Sequence, residues 1–367
     1  GPGGGDHQGA GRAGGDGVMA KFSDVFSDET KRGHKIQTSE YLQSGNHPII
    51  DQGQSPISGY TNLEDGIFAD VPAIIFGDHT RVIKYVDTPF FLGADGVKVL
   101  KSKIQDADYK YLFYCLQNAK IPNTGYNRHF KWLKEIEVPL PTLDEQRHIA
   151  AVLDKISGLI AKRREQLDKL DELVKARFVE MFGDPITNPK GWEKISLGNR
   201  CEIVTGNTPS RAEAENYGGF IEWIKSDNIN TPFTYLTKAQ EYLSEIGFQK
   251  CRFVEAGSLL MTCIAGSISC IGNVAIADRR VAFNQQINAI VPKKDEVLYL
   301  YWLMSLSKPA IHRTINMSLK GILSKGQLSE MIFPFPPQHL QKQFAGFVVQ
   351  TDKSKLTIQQ SLDKLEV

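Results

Sequence analysis

A seam of residues spaced alternately four and three apart runs through the middle of this 367-residue chain: Ile149, Leu153, Ile156, Ile160, Arg163, Leu167, Leu170 and Val174. Such spacing is a heptad seam, and it belongs to a helix that faces one partner along its length. Charged residues flank it (Lys162, Arg164, Glu165, Asp168, Lys169, Asp171, Glu172), and Gly158 is the single interruption by glycine or proline. The stretch from Leu143 to Phe182 therefore reads as one long helix. At about 1.5 Å per residue, positions 144–176 alone make a rod of about 50 Å. Such a rod cannot bury its stripe unaided.

Its partner stands at the end of the same sequence. Phe344, Val348, Thr351, Lys355, Ile358, Leu362 and Leu365 repeat the spacing, each 195 positions after its counterpart in the first seam. The repeat reaches upstream to Val138-Pro139-Leu140-Pro141 against Phe333-Pro334-Phe335-Pro336, and to Gln146 against Gln341. A register-matched duplication predicts two copies of one architectural unit, with the helices pairing as a coiled coil. Arg163, Thr351 and Lys355 are polar intrusions of the kind that set register at some cost in stability.

Composition bounds the rest. The length suggests two or three domains, and 41% hydrophobic with 23% charged residues is ordinary for a globular protein. The glycine-rich residues 1–18 read as a tag and linker remnant, with the native chain starting near Met19. No apolar run reaches membrane-spanning length, which suggests the cytoplasm and no membrane partner. Five cysteines without a Cys-x-x-Cys pair read as free thiols rather than disulfides or zinc ligands. A net charge of +1 predicts weak binding to nucleic acid by the isolated chain, because phosphate contacts need Lys and Arg.

Between residues 20 and 141 short apolar runs alternate with turn residues. Pro48-Ile49-Ile50, Ile67-Phe68-Ala69, Ala73-Ile74-Ile75-Phe76 and Arg81 through Val86 read as strands, and 108–116 as a helix. After the rod, Gly183 and Pro185 stop the helix. A second mixed region follows, with strands at Ile221-Glu222-Trp223-Ile224, Ser258-Leu259-Leu260-Met261 and Asn273-Val274-Ala275-Ile276, and a helix at 297–306. Residues 320–325 fall where 125–130 fall in the first half.

Catalytic signatures are missing. Gly321 and Gly326 have the spacing of a phosphate loop, but Gln327 stands where its lysine would be. No glycine-rich turn suits a dinucleotide or adenosyl cofactor, no Asn-Pro-Pro-aromatic tetrapeptide occurs, and the histidines lack metal spacing. Neither a catalytic residue nor a metal site is predicted.

Several stretches carry a resemblance. Thr205-Gly206-Asn207-Thr208-Pro209-Ser210, Trp223-Ile224-Lys225-Ser226-Asp227-Asn228, Gly272-Asn273-Val274-Ala275-Ile276 and Asn284-Gln285-Gln286-Ile287 recur in order, with Pro139-Leu140-Pro141-Thr142-Leu143-Asp144-Glu145-Gln146 and Met181-Phe182-Gly183-Asp184-Pro185 between the halves. With the 195-residue repeat, the chain resembles the specificity subunit of type I restriction-modification systems over essentially residues 21–367. The resemblance implies an α+β fold: two mixed α/β target-recognition domains separated by two long conserved helices that pair as an antiparallel coiled coil. The domains would be 19–141 and 183–336, the helices 142–182 and 337–367. It also implies double-stranded DNA as target, each domain reading half of a split sequence. Two modification subunits and the restriction subunits would be partners. S-adenosylmethionine, ATP and Mg would be bound by those partners, and this chain would hold no cofactor and no catalytic activity.

For DNA contact the polar loops nominate Gln54, Tyr60, His79, Arg81, Lys84, Arg128, His129 and Lys131 in the first domain. Asn207, Thr208, Ser210, Arg211, Lys225, Asn228, Arg279, Lys320 and Lys325 are their equivalents in the second. Gln, Asn and Arg can pair bidentately with base edges, while Lys and His more often meet phosphate. Asn284, Gln285 and Gln286 read as structural. The competing readings are a scaffold whose heads bind protein, and a self-contained nuclease or methyltransferase, which adenosylmethionine binding by the isolated chain would support.

Overall fold

The computed structural model describes residues 18–93, 95–125, 127–315 and 321–366. Two compact units divide the chain, Gly1–Leu159 and Ile160–Val367. The division falls inside the first long helix, Leu143–Phe182, rather than at its ends. The reason is packing: Ala150, near the helix start, is buried in the core of the first unit, while Val174, Phe178 and Phe182 belong to the core of the second.

The first unit centres on an antiparallel sheet in the order Phe26–Asp28, Val97–Ser102, Ala73–Gly77, Ile83–Val86. Successive side chains of a strand point to opposite faces, and here both faces are covered. Ile74 and Phe76 pack with Tyr111, Leu112 and Leu116 on one side, and Ala73 and Ile75 with Phe90 and Leu92 on the other. A smaller sheet runs Gly59–Thr61, His47–Ile50, Phe91–Leu92, its first pair antiparallel and its second parallel.

The second unit repeats this plan. Its main sheet runs Cys201–Thr205, Ile287–Pro292, Ser258–Thr262, Val274–Ala277, all antiparallel. Its smaller sheet runs Tyr242–Leu243, Tyr217–Ile224, Val281–Phe283, Phe253–Val254, again with one parallel pair and with one strand more. A two-stranded clasp closes each head: Val18–Lys21 on Glu137–Leu140, and Lys194–Ser196 on Ile332–Pro334. Val18, expected in a tag remnant, pairs with Leu140 in the first clasp.

One device is built twice where each head meets its long helix. Tyr111 Oη donates to Pro139 O at 2.8 Å, and Tyr299 Oη to Pro334 O at 2.7 Å. Gln146 donates through Nε2 to Pro141 O and accepts at Oε1 from Asp108 N; Gln341 does the same with Pro336 O and Glu296 N, all at 2.9–3.1 Å. Each glutamine satisfies a free N–H at the start of a head helix, Tyr109–Gln117 or Val297–Arg313.

Within the second unit the helices pair antiparallel. Phe178 and Phe182 meet Phe344, Asp171 meets Lys355, and Arg164 Nη2 lies 2.7 Å from Glu366 Oε1. The second long helix spans Gln338–Asp363. Phe344, Val348, Thr351 and Leu362 are buried in its seam, and Ile358 and Leu365 are half-buried. Leu153, Ile156, Ile160, Leu167 and Leu170 are half-buried on the first helix. The polar intrusions find partners: Thr351 donates to Phe347 O, Lys355 pairs with Asp171, and Arg163 donates to Gln166.

The expectation for Ile149 is corrected. It is 37% exposed, and its neighbour Ala150, at 3%, takes the inward position because the head packs there. Residues 67–69 form no strand; Phe68 makes an isolated bridge to Phe90. Arg81 turns at φ 63°, so the strand expected to begin there starts at Ile83.

Asp352 lies beside Lys355 and Asp171, with Oδ2 buried and without a hydrogen-bond partner among the described residues. Burial pushes its carboxyl above the usual range, Lys355 opposes, and Asp171 adds to the rise. A carboxyl raised in the folded state adds stability below its unfolded pKa and loses it as pH rises through the folded one. Asp352→Asn is therefore expected to melt higher than the parent at pH 7. The gain should vanish below pH about 4, where the carboxyl is protonated in both states. An equal difference at both pH values in thermal melts would contradict this.

Candidate nucleic-acid interface

In the first head four loops gather at one end of the sheets, and Gln52 ties three of them together. Its Nε2 donates to Asp95 O at 3.1 Å, its Oε1 accepts from His79 N at 3.2 Å, and its backbone oxygen accepts from Thr80 Oγ1 at 2.6 Å. Gly96, at φ 92°, leaves room for this side chain; a Cβ there would stand 2.7 Å from Gln52 Oε1. Asp78 brings in the fourth loop, accepting from His129 N at 2.7 Å and, through Oδ1, from Phe130 N at 2.8 Å.

On this platform Gln54, Arg128 and Lys131 are exposed, and His79 and Arg81 are half-buried; Tyr60, also half-buried, sits inside the strand Gly59–Thr61, paired with Pro48, rather than in these loops. Gln54, Thr80 and Arg81 line a cleft of about 560 Å³. Arg81 is steadied by Nη1 donating to Ile121 O at 3.2 Å, and Lys131 lies 4.1 Å from the Trp132 ring centre. Two nominated residues turn inward. His129 is fully buried with Nδ1 3.0 Å from Asp78 O, and Lys84 is 9% exposed, donating to Ser55 O at 2.6 Å beside Asp51. Burial lowers the Lys84 pKa, which Asp51 partly offsets. Both serve the platform instead of its outer surface.

The second head gathers equivalent loops. Leu323 N donates to Cys263 O at 2.8 Å as His129 N does to Asp78 O, and Asn284 N to Ile224 O as Gly93 N does to Ile50 O. Asn207 bridges loops, donating to Lys250 O at 2.9 Å and accepting from Arg252 N at 2.8 Å. Thr208 donates to the exposed Gln285. Ser210 is exposed, as is Lys325 in the first turn of Lys325–Glu330, a helix capped by Ser324. Arg211 and Lys225 share Glu241, and Arg211 lies 4.8 Å from the Tyr217 ring centre. Lys320 lies outside the described residues.

Two expectations in this head are corrected. Asn228 is 6% exposed and donates to Thr237 and to Lys238 O, so it folds its own loop. Arg279 follows Val274–Ala277, at the far end of the sheet from these loops, and is held by Glu222 through paired bonds of 2.8 and 2.7 Å. Asn284 and Gln286 bond each other, in keeping with a structural role, whereas Gln285 reaches the surface. Gln52 and Arg252 escaped notice in the sequence, since a polar residue in a loop gives no sign of what it bridges.

Burial pushes the thiols of Cys201 and Cys263 up to about 12, which leaves them protonated and inert. Among the described residues no group of three or more His, Cys, Asp or Glu side chains is placed to hold a metal ion, and no helix is long and apolar enough to cross a membrane.

Residues 17–171 and 189–367 each match the type I restriction modification DNA specificity domain. The chain belongs to that family. Specificity subunits similar to this one include that of the type I restriction enzyme EcoR124I/EcoR124II of Escherichia coli, 22% identical over 350 residues, which span 89% of this chain and 85% of the relative. The HindI specificity subunit of Haemophilus influenzae is 31% identical over 193 residues, 48% of this chain and 40% of the relative. In fold, the chain is similar to the type I S subunit from M. genitalium, with TM-score 0.62 at 16% identity over 97% of this chain and 94% of that one. As a specificity subunit it serves DNA recognition.

Proposed function

We propose that each head reads one half of a split duplex sequence through its loop platform, and that the helix pair sets the gap and docks two modification subunits. In this reading the methylation and cleavage chemistry belongs to modification and restriction subunits in the cytoplasm, with S-adenosylmethionine, ATP and Mg bound there. This chain supplies selectivity and no catalysis. The observation that carries the reading is the double construction: the same sheet order and the same Tyr–Pro and Gln–Pro attachments, carrying different loop chemistry. Gln54 and Arg81 in one head, and Thr208 and Gln285 in the other, are types that read base edges, while Arg128, Lys131 and Lys325 suit phosphate.

The test is selection from random duplexes by the chain co-expressed with its modification subunit, followed by sequencing. A two-part motif with a fixed gap is the expected result. Inserting one heptad into the first long helix adds about 10 Å, roughly three base pairs at ~3.4 Å each, and the gap should lengthen accordingly. Retention without a motif would overturn the reading and favour a protein-binding scaffold.

A further inference from the structure

The second head carries a chain of polar side chains that the first head does not repeat. Thr262 N donates to Asn273 O at 3.0 Å, as Gly77 N does to Val82 O at 2.8 Å, so Thr262 and Asn273 stand where the first head has a glycine and a valine. Gly272, at φ 81°, turns its loop against the head helix Val297–Arg313, where a Cβ would lie 3.4 Å from Lys308 Cγ. Lys308 Nζ donates there to Ser269 O at 2.6 Å and to Asn273 Oδ1. Asn273 Nδ2 donates in turn to Asn230 Oδ1 at 2.8 Å, and Thr262 Oγ1 donates to the same oxygen at 3.4 Å. Asn230 belongs to the loop that follows Tyr217–Ile224, one of those gathered in the platform.

The direction of this relay is fixed from one end. An ammonium group has only hydrogens to give, so Asn273 turns its oxygen to Lys308 and its Nδ2 to Asn230. Asn230 then turns its oxygen inward, which leaves Nδ2 as the other half of its amide. Asn230 is half-buried, and among the described residues nothing accepts from its Nδ2, which is not sealed in. An amide free to turn over meets donors and acceptors alike; this one can only donate. With glycine and valine at the matching positions, the first sheet forms without any such relay.

We infer that Asn230 is a specificity-determining residue of the second head, donating to a keto oxygen in the major groove, guanine O6 or thymine O4, and refusing the amino groups of cytosine and adenine. Lys308 and Asn273 are positioning residues that decide which way it faces. The inference rests on the platform reading base edges as proposed above.

Asn273→Asp tests the direction. A carboxylate accepts from Lys308 and has nothing to donate, so Asn230 turns over, gives its Nδ2 to the new carboxylate and presents its oxygen instead. The chain co-expressed with its modification subunit is selected against random duplexes. The parent is expected to enrich guanine or thymine at least about fivefold at one pair of the second half-site. Asn273→Asp should shift that pair to cytosine or adenine on the same strand, and Asn230→Ala should leave it without preference. All other positions, the whole first half included, should match the parent. A relay that only braces the loops would move the melting temperature and leave the base unchanged, and that result overturns the inference. If Asn273→Asp erases the second half altogether, Asn230→Ala decides: loss of preference at one pair supports the assignment, and an unaltered motif refutes it. A parent that returns no two-part motif overturns the underlying reading, and this inference with it.

Discussion

Asp295→Ala is expected to destabilise the second unit by about 3–5 kcal/mol, because it strands a charge away from water. The Asp295 side chain is fully buried, and Arg200, 15% exposed, grips it through both carboxylate oxygens. Gln341 adds a third bond at 2.8 Å, so the pair also steadies the residue that joins head to helix. At roughly 2–4 °C per kcal/mol for a unit of this size, the loss corresponds to a fall of roughly 6–20 °C in Tm. Replacing both partners together, Arg200→Met with Asp295→Leu, should cost far less, since no uncompensated group remains. Calorimetry of the three proteins checks the ordering. A single variant within 1 kcal/mol of the parent would show that the pair carries no such weight.

Phe178→Ala is the second large effect expected. The ring is 1% exposed and touches three other aromatic rings, so its removal opens a cavity that a close-packed core closes only partly. Aromatic-to-alanine changes in such settings cost about 3–5 kcal/mol. Leu173, five residues earlier and 49% exposed, is the comparison, and alanine there should stay within about 0.5 kcal/mol. Urea unfolding of both variants distinguishes them, and similar midpoints would refute the packing argument. Because Phe178 touches the head helix through Tyr299 and the second long helix through Phe344, its loss should also weaken selection for one half of the target before the other.

The architecture was legible in the sequence where the signal is local and repeated. The four-three spacing and the Pro-x-Pro corner are short-range patterns that recur at a 195-residue offset, and the structure places them in long helices, clasps and paired attachments. Sheet order was not legible. It depends on pairings such as Phe26–Asp28 with Val97–Ser102, made by short strands far apart in sequence, and nothing in either strand names the other. Ile149 shows a different limit. It falls on the four-three spacing, yet the helix turns Ala150 inward and leaves Ile149 exposed, because the head rather than a second helix packs there.

The loop residues failed for a third reason. Residue type marks His129, Lys84, Asn228 and Arg279 as able to bind DNA, but each is engaged by an acceptor that only the folded chain supplies: Asp78 O, Ser55 O, Lys238 O and Glu222. Those left facing outward, such as Gln54, Arg128 and Lys325, look no different in the sequence. Gln52 was missed for the converse reason, since its three bonds reach loops 25 and more positions away.

The paired tyrosine and glutamine attachments constrain how such a protein can change. They are made to proline carbonyls and to backbone N–H groups at the start of a helix, and they ask nothing of the residues in the loops. A head can therefore be rewritten at its outer surface, or exchanged whole between clasp and corner, without disturbing how it is mounted. Drift in the loops then alters which sequence is chosen and leaves the mounting untouched, so new preferences can arise by a few surface substitutions or by a single recombination of one head.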